Sequence, residues 1–103
     1  MNSYEFLKYL TANLTADKPG DEKNTCSATG FYARINNKDA LVTAKHFVEN
    51  TVATITVTAH YKEHDTVISL PITACVEWQT SMEYDIAYCD IKPLKKKLKE
   101  IIR

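Results

Sequence analysis

The clearest periodicity in the chain runs through Ala53, Ile55, Val57, Ala59 and Tyr61, which alternate with Thr54, Thr56, Thr58 and His60. A period of two with threonine on one side is the pattern of a half-buried strand. After a charged tip, Lys62-Glu63-His64-Asp65, the alternation resumes. Ile68, Leu70, Ile72, Ala74, Val76 and Trp78 fall on one face of a long strand. Pro71 cannot donate to a ladder, which predicts an edge position or a bend where a barrel turns a corner. Upstream, Cys26 to Ile35 reads as a strand, with Gly30 marking a bulge or a close backbone approach. Asn36-Asn37-Lys38-Asp39 supplies hairpin chemistry, because Asn and Asp tolerate positive φ. Ala40 to Thr43 is the return strand, and Glu49-Asn50 closes a short turn after it. Gln79 to Glu83 reads as a loop, and Asp85 to Ile91 as the last strand.

Both ends change period. Asn2 can cap a helix with Glu5 at its third position, and Phe6, Leu7, Leu10 and Leu14 recur at helical spacing. Tyr4 and Tyr9 widen that stripe, which predicts a packing helix laid across a barrel. Thr15 to Thr25 turns polar, with Pro19-Gly20 and Asp21-Glu22-Lys23, and reads as a surface loop. Pro93 opens a second helix with Leu94, Leu98, Ile101 and Ile102 on one face and lysines on the other. The pattern predicts an all-β fold of antiparallel strands over residues 26–91. An N-terminal helix and loop (1–25) and a C-terminal helix or crossover (92–103) flank it.

Composition narrows this picture. With 103 residues and 45% hydrophobic positions, the chain has material for one ordered domain with one core. Thirteen basic and thirteen acidic residues cancel, so no overall field draws it to nucleic acid or anionic lipid. No apolar run reaches membrane-spanning length, and no secretory pattern opens the chain. Three cysteines, Cys26, Cys75 and Cys89, form no CxxC pair and are odd in number, which favours free thiols and the cytoplasm. His60 and His64 are four apart, but on a strand and its tip that spacing does not align two metal ligands. No metal or cofactor is expected. The cluster Lys92, Lys95, Lys96, Lys97, Lys99 and Arg103 reads as the solvated face of its helix.

The chemistry lies in two segments. Leu41-Val42-Thr43-Ala44-Lys45-His46 is a strand that stops at a small residue and delivers one imidazole on rigid backbone. Tyr84-Asp85-Ile86-Ala87-Tyr88 puts an aspartate at the mouth of another apolar strand, where a carboxylate can hold an imidazole in one tautomer. The first segment resembles the apolar-apolar-Thr-Ala-x-His string around the catalytic histidine of trypsin-like serine peptidases. Asp85-Ile86-Ala87 resembles the string around that family's catalytic aspartate. Ala28-Thr29-Gly30-Phe31 looks like the strand preceding the histidine hairpin. The three occur in the family's order and cover roughly residues 26–91.

That resemblance implies two packed six-stranded antiparallel β-barrels with the active site between them, of which this chain supplies the first over residues 26–91. His46 would be general base and then general acid, and Asp85 would orient it. The family's serine sits in a Gly-Asp-Ser-Gly-Gly-like loop on the second barrel, and nothing here resembles it. The only glycines are Gly20 and Gly30, and neither neighbours a serine. Secreted relatives often carry a cysteine directly after the histidine; Phe47 occupies that place. Local nucleophiles, Ser27, Ser69, Ser81 or a cysteine, do not sit on a glycine-rich turn, so a self-contained cysteine enzyme is disfavoured.

The expectation is the N-terminal half of a trypsin-like serine endopeptidase, inactive alone and acting on polypeptide when completed by a second barrel. The alternative is a non-catalytic interaction module derived from the same fold. His46 and Asp85 are expected within hydrogen-bonding reach. A barrel without its neighbour is expected to cover an apolar face, with a homodimer favoured over one of its own helices as a lid.

Overall fold

The structure, a computed structural model, describes residues 11–63 and 65–101. Nine elements follow in order: β1 (Thr11–Lys18), β2 (Asp21–Ile35), β3 (Lys38–Thr43), α1 (Lys45–Glu49), β4 (Thr54–Glu63), β5 (Thr66–Cys75), β6 (Gln79–Thr80), β7 (Ala87–Asp90) and α2 (Lys92–Ile101). The strands form one seven-stranded antiparallel sheet in the order β5-β4-β1-β2-β3-β7-β6. All-β holds. The six-stranded closed barrel does not, because β5 and β6 end the sheet without pairing to each other.

The 15-residue strand β2 organises this sheet. Its first part pairs with β1, and from Phe31 to Ile35 it pairs with β3. The changeover falls at Gly30, where an added Cβ would lie 2.7 Å from Leu14 Cδ1 and 2.8 Å from the Val42 carbonyl oxygen. Only a residue without a Cβ fits there, which is the close approach expected of that glycine. Asn36 and Asn37 both take positive φ, 51° and 64°, closing a two-residue β2–β3 hairpin.

The segment before residue 26 departs from expectation. Leu14 sits inside strand β1, and the stretch read as a loop is the β1–β2 hairpin, turning at Pro19 and Gly20. Ala12, Leu14 and Ala16 are buried and alternate, so a period of two competes with the helical spacing of Leu14 and wins through pairing with β2. The remaining positions of the expected N-terminal helix, residues 2–10, lie outside the described residues.

The core is a single cluster. Leu14, Leu41, Ile55, Val57, Ile72 and Cys89 from the sheet meet Phe47 from α1 and Leu94 and Leu98 from α2. Ile72 is fully buried and Cys75 exposed, as the alternation of β5 requires. β5 pairs only with β4, so Pro71, opposite Thr58, lies on an edge strand. Helix α2 leaves β7 and packs against β5. It therefore carries the chain from β7, next to one end of the open sheet, to the edge strand β5 at the other, and its Leu94 and Leu98 are buried in the core. Asp39 ties this helix down: its carboxylate receives Lys95 Nζ at 3.0 Å, and its carbonyl accepts the Ile91 N–H at 3.3 Å. Among the described residues no helix is long and apolar enough to cross a membrane.

Candidate functional site

Strand β3 ends at Thr43, whose buried hydroxyl donates to the Thr29 carbonyl at 3.3 Å. The chain then enters α1, with Ala44 extended at the N-cap and no side chain of its own to cap the helix. Phe47 holds this short helix by burying its ring in the core. The far end is closed by side chains: Asn50 Nδ2 donates to the His46 carbonyl at 2.6 Å, and Thr51 Oγ1 to the Phe47 carbonyl at 2.8 Å. His46 is thus mounted on a helical turn fixed at both ends, where the sequence suggested a strand terminus.

Asp85 arrives from the loop between β6 and β7. Its Oδ2 lies 2.6 Å from His46 Nδ1, and its Oδ1 accepts the His46 backbone N–H at 2.8 Å. One carboxylate therefore fixes both the ring and the backbone of the same residue. The backbone contact also satisfies one of the donors left open at the start of α1, so Asp85 caps from 39 positions away a helix that its own N-cap residue cannot. The imidazole hydrogen bond, followed by the backbone one, holds the Asp85 carboxyl below its ordinary range. A carboxylate accepting at Nδ1 favours the tautomer with the proton there, which leaves Nε2 as the acceptor.

The pair is open to solvent, with the His46 side chain 74% and the Asp85 side chain 58% exposed. Exposure makes the contact a weak source of stability, while the ring stays accessible to a reacting group. His46 also lines a pocket of about 620 Å³ together with Lys18, Cys26, Ser27, Phe47 and Glu49.

Of the local nucleophiles considered, Ser27 and Cys26 share that pocket with His46. Both lie within the β1–β2 ladder, opposite Thr15 and Ala16, and not on a turn that would project a nucleophile. Cys89 is buried, and desolvation first and the neighbouring Asp90 second push its thiol up to about 12, which keeps it protonated and inert. Cys75 and Ser69 lie on β5, the far edge strand of the sheet. Ser81 stands in the Asp85 loop, where its hydroxyl accepts the N–H groups of Glu83 and Tyr84 at 3.2 and 3.1 Å. That ordering role escaped sequence reading, although a serine ahead of three polar or exposed positions is a recognisable turn signal. Among the described residues no three His, Cys, Asp or Glu side chains cluster as a metal site would require.

Compared with known proteins, the chain matches no protein-family model, no curated protein and no solved structure. The functional reading therefore stands on the residues and their geometry.

Proposed function

We propose that this chain is the histidine-bearing half of a trypsin-like serine endopeptidase. The observation that carries the reading is the two-point grip of Asp85 on His46, ring and backbone together. In this role His46 Nε2 takes the proton of an attacking serine hydroxyl and returns it to the leaving amine. Asp85 keeps the proton on Nδ1 and stabilises the imidazolium formed on the way. The serine and the oxyanion donors come from a second domain seated against this open sheet, and without them these residues do not hydrolyse a peptide bond.

The test is to express the chain with an affinity tag in its native source and label with a fluorophosphonate, which reacts with a base-activated serine. The expected result is a labelled serine in the polypeptide or complex that contains His46, absent in His46→Ala. An assembly that carries no label, or a label that survives His46→Ala, overturns the proposal. The same experiment decides for the second reading, a non-catalytic interaction module that kept the fold. One observation favours that module: Asp85 has a structural reason to touch His46, as the cap of α1.

A further inference from the structure

The loop that delivers Asp85 has no hydrophobic anchor of its own. Met82 is 98%, Tyr84 65% and Ile86 45% exposed, and the chain is next buried only at Ala87. Packing therefore does not decide where this carboxylate sits, and hydrogen bonds must.

Those bonds converge on one residue. Ser81 Oγ accepts the Tyr84 N–H at 3.1 Å and the Glu83 N–H at 3.2 Å, while the Ser81 N–H donates to the Ile86 carbonyl at 3.0 Å. Tyr84 and Ile86 are the two chain neighbours of Asp85. Ser81 thus holds the residue on each side of Asp85, through its hydroxyl on one side and its backbone on the other. We propose that Ser81 is the positioning residue of the site: its hydroxyl sets the loop so that Asp85 meets His46 Nδ1 and N together.

The mechanism is local. An Oγ that accepts two successive N–H groups fixes the backbone of a turn as a cap fixes a helix end. Removing it leaves two exposed N–H groups to water, at little cost in global stability. The Asp85 backbone, however, is released from its near side. A carboxylate that must reach two donors at 2.6 and 2.8 Å tolerates little drift.

The importance of this for turnover rests on the reading of His46 and Asp85 as base and orienter, but its test needs no turnover and so fails separately. Nitrogen-detected NMR of the imidazole in the 103-residue chain reports which ring nitrogen carries the proton. In the native chain, the neutral imidazole of His46 is expected to hold its proton on Nδ1, read from the Nδ1 and Nε2 shifts correlated with the carbon-bound ring protons. In Ser81→Ala the two nitrogen shifts move toward those of a mixture of tautomers, while the amide spectrum of the sheet stays in place. Ser81→Thr, which keeps the oxygen, restores the native shifts. Unchanged ring-nitrogen shifts in Ser81→Ala overturn the proposal. A Ser81→Ala chain that loses its sheet amides also overturns it, since the hydroxyl would then be holding the fold and not the loop.

Discussion

Asp85 touches His46 twice, once at the ring and once at the backbone, and the two contacts serve different ends. The backbone contact caps a helix whose own N-cap residue is an alanine. The ring contact selects a tautomer. A purely structural cap would need only the first. The second adds little stability at an exposed surface, so its value lies in what it does to the imidazole.

Asp85→Asn separates the two. The amide oxygen can still accept the His46 N–H, so α1 keeps its cap and the melting temperature should move little. The amide cannot hold the Nδ1 proton as a carboxylate does, and the ring loses its preferred tautomer. If His46 acts as the proposed base, serine labelling in the assembly that contains it should slow by a factor of about 10⁴. Equal labelling rates for the two proteins would leave Asp85 as a helix cap alone.

The pH dependence follows from the direction of the Asp85 shift. Its carboxyl is held below the ordinary value by the imidazole and backbone hydrogen bonds. The stabilisation is therefore fully present above the unfolded carboxylate value of about 3.9 and is lost as pH falls through the lower folded value. The gap in melting temperature between the native chain and Asp85→Ala should persist down to about pH 5 and close only below about pH 4. A gap that closes near neutrality would show that this carboxyl is not held down.

Gly30→Ala tests the handover of β2 from β1 to β3. The new methyl would sit 2.8 Å from the Val42 carbonyl, and backbone in a ladder cannot swing aside as a side chain can. The expected cost is about 1–3 kcal/mol, read from urea unfolding. A neutral substitution would mean that the ladder relaxes there freely.

How far the sequence reveals this molecule depends on the range of each interaction. The strands β4 and β5 were legible because Ile55, Val57, Ile72 and Ala74 alternate locally with polar or exposed neighbours. His46 and Asp85 were legible as strings at two strand mouths, and the structure brings them together as expected. Leu14 misled, since one leucine satisfies both a helical and a two-residue period until β2 supplies its partner. The open sheet could not be read either. Closure is decided by whether β5 reaches its opposite edge, a contact between distant segments that no local pattern encodes. The capping of α1 by Asp85 was hidden for the same reason, because Ala44 offers no side chain to announce a missing cap.

A barrel without its neighbour suggests a dimer that covers its apolar face, but this sheet is open and helix α2 offers a cover of its own. Leu94 and Leu98 are buried and belong to the same cluster as Ile55 and Ile72, while α2 packs on β5 at the open side of the sheet. If α2 is the seal, Leu98→Ala removes a buried side chain from the lid and should cost about 2–5 kcal/mol. The variant should also bind a hydrophobic dye that the native chain excludes, because a loosened lid exposes the interior. Sedimentation at micromolar concentration distinguishes the two covers. A native monomer that excludes dye, beside a Leu98→Ala variant that binds it, assigns the seal to α2. A native dimer whose dissociation on dilution exposes dye-binding surface would assign the cover to a second copy, with Met82, Tyr84 and Ile86 the exposed apolar side chains available beside Asp85.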